Sequence, residues 1–595
     1  MNLFIANWKG TQSAIGNWNL AILPRVSNRT GSASDRPCRF GAGMLGPALA
    51  LGVLLGALTI GDRIAIAEGE SNDKDVVMRA MVDELDRSGK ELVLSDLSRP
   101  YFIQLNTQDR QLYTQSAAYG GLQRSNQTHN RMIGVRIRVG SFGLDNTNFR
   151  RGYGQVGALP LDDDYAALRH GIWLLLDQDY KQAVETFTQK LAYLKDKTAE
   201  DRPDDFSAAS TVTVVEPMGT IDFDAKAWEA NLQRLSERFK HHPKIQDSNV
   251  TLFAGGVTEW IVNTEGTRLR MGDSGIQIQI NAELQADDGM PLADTRTYLG
   301  ERVDQLPPID KMLADIDEMS TKLVELAGAA RLEQYTGPIL FEALAAANLF
   351  EALLSDSLCA RPTPLGSGAE DNSLEKKIGL RILPRTFHVF DDPGPRIFEN
   401  TVLAGAYRFD DEAVAATRVE LVEKGILKTL VAGRAPTKKI KQSTGHGRSP
   451  GLGDPQATIG NQYISADDAL SAEELKQELI QTARDEGLEF GLRVASIEEG
   501  QAGALGNPIH AYKVSVADGH EEPVRGMQFR PIETRSLKRI LAAGKERRAY
   551  NSVSGTSSSI IAPALLFEEL ELTKVEGEFD KLPILQSPAT RKETP

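Results

Sequence analysis

The feature that most constrains the fold is an apolar stretch, YTGPILFEALAAANLFEALLSDSLCARPTP, from Tyr335 to Pro364. Pro338 follows a turn, and its fixed backbone angle suits the first turn of a helix. Glu342 lies between apolar neighbours, and because an unpaired buried charge is unfavourable, it needs a partner or a chemical task. Helical spacing after Pro338 predicts a helix that packs in a core. The apolar residues at this spacing are Leu340, Leu344, Ala347 and Leu354.

Length and pattern predict an α+β protein of more than one domain. A chain of 595 residues is too long for one compact core. Helical and strand patterns are mixed without a strict βαβ alternation, which favours an N-terminal mixed α/β domain with helical segments and a β-rich C-terminal domain. The predicted boundaries are 1–67 for a leader with a signal peptide, 68–306 for the N-terminal α+β domain, 307–334 for a connecting helix, 335–575 for the C-terminal domain and 576–595 for a polar tail.

Periodicity predicts the main elements of the N-terminal domain. Apolar residues alternate with other residues over Ile133–Val139, which indicates a half-buried strand. Its polar face is basic, and we expect Arg136 and Arg138 to face solvent or acidic neighbours. Asp164–Lys195 has apolar residues at spacings of three and four, which predicts a helix whose core face carries Trp173, Leu176, Tyr180, Val184 and Phe187.

Two further helices are marked by their first residues. Pro307 and Pro308 introduce the predicted connecting helix, whose apolar face runs from Met312 to Leu326. Ser471 and Glu474 form a capping-box pattern, in which each side chain satisfies an exposed backbone donor at a helix start. Strands are predicted around this second helix, which makes the C-terminal domain β-rich.

The first 67 residues have the succession typical of a targeting signal. Arg36 and Arg39 precede an uncharged, Leu/Ala/Gly-rich run over Gly41–Ile60. Ala65-Ile66-Ala67 then has the small-x-small form of a signal-peptidase site. We therefore predict an exported protein, periplasmic or secreted, that is cleaved after Ala67. The alternative is an uncleaved anchor, because the run approaches the roughly 20 residues that span a bilayer.

Charge and motif content exclude several classes of function. The net charge is −15, so no surplus of Lys and Arg exists to neutralise a nucleic-acid backbone, and no nucleic-acid partner is expected. The chain has neither a G-x-S-x-G nor a Walker GxxxxGK[ST] pattern. After the leader Cys359 is the only cysteine, which excludes an intramolecular disulfide. At a helix end beside Arg361 it is expected to pack as a small hydrophobe rather than act as a nucleophile.

Three segments together resemble one known family. They are the apolar stretch, the Gly445–Arg448 loop with sequence GHGR, and the strand-plus-turn VRIRVGSFGLDNTNF over Val135–Phe149. This combination resembles the TldD/PmbA family of metallopeptidases and their non-catalytic partners. By pattern the resemblance runs from about Val76 to Leu572, and it includes FDDEAVAATRVELVEKGILK, which looks like that family's paired strands around a Glu-x-Gly turn.

The resemblance implies a zinc site that this sequence has lost. In the family's active members the helix carries His-Glu-x-x-x-His, two zinc-binding imidazoles with a Glu as general base, and a Cys near the C-terminus completes the site. The corresponding residues here are Phe341, Glu342 and Ala346. The Cys is expected near Asn551–Thr556, which contains Ser and Thr but no thiol. A lone carboxylate does not hold zinc at useful affinity, so no metal or other cofactor is predicted.

The Gly-rich loop is the second candidate site. Gly445 and Gly447 allow close backbone approach, while His446 and Arg448 could contact a carboxylate or a peptide carbonyl. In the family a similar loop lies near the substrate cleft, which implies that Gly445, His446, Gly447 and Arg448 bind substrate. The alternative is a flexible connection.

Two functions therefore compete. The favoured hypothesis is an exported, catalytically silent member of the family that binds unfolded or extended peptides, or supports a catalytic partner as a homodimer or heterodimer. The alternative is an active zinc metallopeptidase with Glu342 as base and ligands from scattered positions such as His388, His446 and His510. A structural envelope protein without a peptide cleft is a third possibility.

Overall fold

The computed structural model describes residues 75–93, 98–150, 154–195, 202–367, 374–498, 505–553, 556–577, 579 and 581. The predicted signal peptide, the cleavage after Ala67 and nearly all of the polar tail lie outside these residues. Among the helices that are described, none is long and apolar enough to cross a membrane. The domain boundaries stay predictions.

The N-terminal half is built on a mixed sheet. Its strands are β1 Pro100–Ala118, β2 Gly121–Ser141, β3 Leu144–Asp145, β4 Gln155–Ala158, β5 Thr213–Val215, β6 Asp247–Asn263, β7 Arg268–Gln285 and β8 Pro291–Gly300. The strand order is β3-β2-β1-β6-β7-β5, and β4 also pairs with β2 and β8 with β7. Long antiparallel pairings join β1 to β2 and β6 to β7. The strand predicted over Ile133–Val139 lies within β2.

Helices cover this sheet and enclose two apolar cores. They are α1 Val76–Glu91, α2 Tyr165–Lys195, α3 Ala225–Glu237 and α4 Ile309–Gly328. The first two pack with β1, β2 and β6, and the other two pack with β6 and β7. The helices predicted at 164–195 and after Pro308 are thereby confirmed.

The core face of α2 is as predicted at Leu176 and Tyr180 but not at Trp173. Trp173 is 38% exposed, so placing it in the core was wrong. The buried face of α2 runs through Leu168, Ile172, Leu176 and Tyr180. Trp173 follows Ile172 directly, and adjacent residues of a helix point in different directions, so only one of the two can lie on this face.

The basic face of β2 does not face solvent, which corrects one part of the expectation for its two arginines. Arg138 is 3% exposed and meets an acidic neighbour, Asp145, at 2.9 Å, while it also stacks on Phe206. Arg136 is also 3% exposed and donates to the backbone carbonyl oxygen of Leu452 at 3.2 Å. This bond joins the N-terminal sheet to the segment that follows the GHGR loop.

The C-terminal half is built on a larger mixed sheet and several small ones. The strands are β9 Ala330–Arg331, β10 Gln334–Phe341, β11 Cys359–Ala360, β12 Phe387–Asp391, β13 Ile397–Phe398, β14 Thr401–Val402, β15 Val419–Glu423, β16 Ile426–Leu427, β17 Val431–Ala432, β18 Gly447–Arg448, β19 Gln456–Ala457, β20 Asn461–Ala466, β21 Phe490–Ile497, β22 Pro508–Ser515, β23 Glu521–Arg525, β24 Met527–Phe529, β25 Ile540–Ser552 and β26 Ser558–Lys574. The large sheet has the order β16-β15-β12-β20-β26-β10-β21-β22-β23-β9, in which β24 and β25 also pair with β26. Two-stranded sheets join β11 to β17, β13 to β14 and β18 to β19.

Two longer helices accompany this sheet within the described chain. The first is α5, Ala343–Phe350, which continues into a π-helical turn over Glu351–Ser355. The second is α6, Ala472–Asp485, which begins with the capping box predicted at Ser471 and Glu474. Shorter 3₁₀ turns of the whole chain are Arg238–His241, Val303–Gln305, Asp356–Leu358, Glu375–Lys377 and Thr534–Arg539.

The first part of the apolar stretch is a strand, so the predicted helix start at Pro338 is wrong. β10 lies between β26 and β21, and Phe341 is paired with Leu565 on one side and Val494 on the other. A strand buried on both faces is apolar throughout, and a short apolar run of this kind does not distinguish strand from helix. Pro338 is accommodated where the register with β26 shifts.

The later helix start also changes the predicted core face of this stretch. Leu340 belongs to β10 rather than to a helix, and Leu344, in the first turn of α5, is 43% exposed. Ala347 and Leu354 are buried as predicted. The helical part of the stretch therefore packs through its alanines and its C-terminal leucines.

Candidate functional site

Phe341, at the position of the family's first histidine, ends β10 inside the core. Its side chain is fully buried. The ring centroid lies 5.5 Å from that of Phe567, edge to face, and 5.7 Å from that of Phe529. Aromatic pairs at these separations are stabilising beyond the area that they bury. The position is therefore a packing site, and its side chain has no atom that could bind a metal.

Ala346, at the position of the second histidine, lies in the first turn of α5. Its backbone N–H donates to the carbonyl oxygen of Glu342 at 2.8 Å, and its side chain is fully buried in the same apolar core as Phe341. A phenyl ring and a methyl group supply no zinc ligand. The residues at these two positions do not fit the metal that the family resemblance implies.

Glu342 is not inside the helix but at its N-cap, and its side chain is 45% exposed. The partner that the sequence required is Arg493 of β21, which donates to the Glu342 carboxylate. Arg493 also pairs with Glu521 and lies over the ring of Tyr512, with 4.3 Å between the guanidinium carbon and the ring centroid. The carboxylate is thus held in a surface ion pair.

The stretch expected to carry the cysteine anchors a neighbouring loop. Asn551 Oδ1 accepts from the backbone N–H of Ala404 at 3.0 Å, and Asn551 Nδ2 donates to the carbonyl oxygen of Val402 at 2.8 Å. The hydroxyl of Ser559 also donates to Asn551 Oδ1 at 2.7 Å. Residues 554 and 555 lie outside the described part of the chain.

The three scattered histidines of the alternative hypothesis contact separate carboxylates. His388 lies 3.2 Å from Asp467, His510 lies 3.2 Å from Asp294, and His446 lies 2.9 Å from Asp391. Among the residues that the structure describes, no three His, Cys, Asp or Glu side chains are grouped so that they could hold a metal ion.

The GHGR loop is tightly packed, which argues against a flexible connection. Gly445 has φ +74°, and a Cβ there would lie 2.2 Å from the carbonyl oxygen of Ala415. A Cβ on Gly447 would lie 2.2 Å from Glu412 Oε2. Both distances are far inside van der Waals contact, so neither position accepts a side chain without movement of its neighbours. The glycines allow the loop to close over buried carboxylates.

His446 has no exposed surface, and both of its ring nitrogens have partners. Nε2 lies 2.9 Å from Asp391 Oδ1, and Nδ1 lies 2.9 Å from the hydroxyl of Thr444. The ring is also edge-on to Tyr407, whose hydroxyl donates to the carbonyl oxygen of Gly445 at 3.0 Å. In this arrangement His446 holds the loop in place.

Arg448 is the loop residue that borders open space. Its guanidinium stacks on Tyr407 at 4.1 Å from the ring centroid, and its Nε lies 3.3 Å from Asp411 Oδ1. The residue is 9% exposed. It lines a cavity of about 440 Å³, whose wall also includes Arg361, Asp454, Gln456 and Thr458.

Three consecutive carboxylates that the sequence interpretation missed hold this loop and its neighbour. Asp410 accepts from the backbone N–H of Gly447 at 2.8 Å, and Asp411 accepts from that of Ser449 at 2.6 Å. Glu412 accepts from the backbone N–H of Arg434 at 2.6 Å. Burial, followed by the charge of Glu412, raises the pKa of Asp410 well above its ordinary value. The available signal was the run of three acids in FDDEAV, directly before an apolar segment.

A carboxylate of the N-terminal sheet faces the same cluster. Glu259 of β6 is 3% exposed and accepts from Gln108 Nε2 at 3.1 Å. Burial, and then the negative charge of Asp411, raise the pKa of Glu259 to about 7. The loop is therefore packed between both halves of the described chain.

Comparison with known proteins relates the C-terminal half of the chain to a known family. Residues 334–574 match the family model described as the PmbA/TldA metallopeptidase C-terminal domain. A metalloprotease from Methanothermobacter thermautotrophicus is 23% identical over 312 residues, which cover 50% of this chain and 63% of that protein. The chain thus spans less than two thirds of that relative's length.

Solved structures agree in fold. TldE from Thermococcus kodakarensis has a TM-score of 0.54 at 12% identity, covering 83% of this chain and 100% of that one. A protein from Thermotoga maritima, described as a proposed modulator of a DNA gyrase, has a TM-score of 0.55 at 16% identity, covering 83% and 99%. The fold is α+β and metallopeptidase-like, as predicted. Residues 334–574 thus match the C-terminal domain of the TldD/PmbA family, and the fold of the chain is similar to that of TldE.

Proposed function

We propose that this protein is a catalytically silent member of the TldD/PmbA family that binds extended peptides, alone or beside a catalytic partner subunit. The observation that carries the proposal is the apolar packing of Phe341 and Ala346 at the two histidine positions. Zinc binding needs several donors in one shell. Without them, Glu342 has no metal-bound water to activate, and its carboxylate pairs with Arg493 at the surface.

The cavity beside the GHGR loop supports peptide binding. At about 440 Å³ it is within the size range of ligand sites, roughly 300–1,000 Å³. Gln456 and Thr458 on its wall carry amide and hydroxyl groups that can pair with a peptide backbone. Arg448 adds a charged donor. Extended peptides leave their backbone groups available for such contacts.

Metal content and cleavage test the proposal together. We expect purified protein to contain no stoichiometric zinc, to bind an unfolded peptide in calorimetry, and to leave unfolded casein uncut with or without a chelator. Tightly held zinc with chelator-sensitive cleavage would support an active metallopeptidase instead. Protein that binds no peptide would support a structural role.

Export is the second part of the proposal, and it rests on the leader pattern. Mass spectrometry of the exported protein should find Glu68 at the N-terminus. Replacing Ala65 and Ala67 together by Tyr should block cleavage, because the signal-peptidase site needs small residues. A product retained in the cytoplasm, or one starting far from Glu68, contradicts this part.

Assembly is the third part, and it rests on the family. We propose a homodimer or a heterodimer with a related subunit. Light scattering at micromolar concentration should give a dimer, or a pull-down should recover a related chain. A monomer without a recovered partner contradicts assembly but leaves peptide binding to its own test.

A further inference from the structure

Arg448 has hydrogen-bond donors that the described chain does not use. Arginine presents five N–H donors, yet within the described residues the Arg448 side chain makes an ion pair and a ring contact but no hydrogen bond of good geometry. Donors left unpaired in a buried side chain are unfavourable. Arg448 lines the 440 Å³ cavity, so a ligand that enters the cavity and reaches this side chain can supply an acceptor.

A second guanidinium is fixed at the same cavity. Arg361 Nε donates to the carbonyl oxygen of Ala457 at 2.8 Å, and its Nη1 pairs with Asp356. These contacts orient a side chain that is still 33% exposed. Among the described residues, the cavity wall therefore carries two arginines and one carboxylate, Asp454.

We infer that this cavity binds a carboxylate of a peptide, with Arg448 and Arg361 as the cationic contacts. The inference rests on the proposed peptide binding and specifies what the site selects. A monoanion fits the charges better than a phosphate, because Asp411 and Asp454 would repel a second negative charge. The carboxylate can come from a peptide C-terminus or from an acidic side chain.

Three acetylated hexapeptides of one apolar sequence distinguish these sources in calorimetry. The first has a free C-terminal carboxylate, the second a C-terminal amide, and the third an amide with one internal Glu. We expect a carboxylate to tighten binding about tenfold, the scale of a charged hydrogen bond. If only the first peptide binds more tightly than the second, the site binds a C-terminal carboxylate. If only the third does, the site binds an acidic side chain, and if both do, the site accepts a carboxylate from either source.

Variants test which residues provide the selectivity. Arg448→Met should remove the tighter binding of the carboxylate peptides relative to the plain amide, whereas the exposed Arg535→Met should change nothing. Gln456 is exposed on the cavity wall, so its substitution does not disturb the core. Gln456→Glu should weaken the binding of the carboxylate peptides several-fold, and Gln456→Lys should strengthen it. These two variants test the inference even if Arg448→Met fails to fold.

The outcomes separate this inference from the proposed function. Equal binding of all three peptides, unchanged in the Gln456 variants, overturns carboxylate selection and leaves peptide binding in place. Absence of binding by every peptide overturns the proposed function, and the inference with it.

Discussion

The junction of β10 with α5 and the GHGR loop lie in the same half of the chain but are stabilised in opposite ways. At the junction, Phe341 and Ala346 fill the core with apolar atoms. In the loop, His446 and Arg448 are buried against Asp391 and Asp411. The junction is therefore stabilised by apolar packing, whereas the loop is stabilised by a network of charges. Of these two regions, only the loop places a buried cation beside a cavity.

The difference predicts unequal responses to substitution. Loss of apolar contacts leaves a cavity that the core can partly refill, but loss of one charge leaves its partner buried and uncompensated. Substitutions in the charged network should therefore destabilise more than those at the junction.

Arg434→Met gives the largest expected effect. Arg434 is fully buried, donates to the carbonyl oxygen of Ser207 at 2.7 Å and pairs with Glu265 at 2.7 Å. Removing it should lower the free energy of unfolding by about 3–5 kcal/mol, because these acceptors lose their partner. Urea unfolding measures this, with Arg535→Met as an exposed control. A loss below about 1 kcal/mol would contradict the role given to buried charge.

Phe341→His with Ala346→His should have a smaller effect. The double variant loses the ring contacts to Phe529 and Phe567 and buries two polar rings. We expect a loss of roughly 2–4 kcal/mol and no peptidase activity, because two imidazoles without a third good ligand bind zinc weakly. Calorimetry and a cleavage assay with added zinc check both points. Gain of zinc-dependent cleavage would show that the site is intact apart from its ligands.

The sequence predicted elements with a clear period and missed what depends on distant contacts. The helix Ile309–Gly328 buries Met312, Ile316 and Met319 as its spacing indicated. β10 was mistaken for a helix because a strand buried on both faces has no alternation. Glu342 was expected to need a partner, but nothing local identifies Arg493, which is 151 residues away.

The candidate sites show the same limit. Sequence identified the glycines of the GHGR loop, yet burial of His446 depends on Asp391, in a different strand. In the sequence, Asp410, Asp411 and Glu412 have the pattern of solvent-exposed acids, and only the fold shows that they are buried beneath the GHGR loop. Cys359 is buried as expected, and burial raises the pKa of its thiol to about 12.

Glu259→Gln tests the charged network through the pH dependence of stability. The folded pKa of Glu259 is raised to about 7 from an ordinary 4.5, so its protonated form is favoured in the folded state. Its contribution to stability is present below pH 4.5 and is lost as the pH rises through about 7. Glu259→Gln should be more stable than the wild type by less than about 1 kcal/mol at pH ~5, and by roughly 1–3 kcal/mol more at pH ~8.

Thermal unfolding between pH ~5 and ~8 measures this difference. Asp179, whose pKa burial also raises to about 7, keeps its own titration in the variant, so part of the pH dependence remains. A variant that is less stable than the wild type at the alkaline end would show that the ionised Glu259 is favourably paired in the folded protein.

Glu342→Gln should have the smallest effect and decides between the two functions. The carboxylate is 45% exposed, and a surface pair with Arg493 contributes at most about 1 kcal/mol. Peptide binding should be unchanged, because a silent site gives Glu342 no metal-bound water to act on. Calorimetric stability, peptide affinity and cleavage of unfolded peptide measure the three expectations. If the wild type cleaves peptides and Glu342→Gln abolishes cleavage while stability is unchanged, Glu342 is a working general base and the proposed silence is wrong.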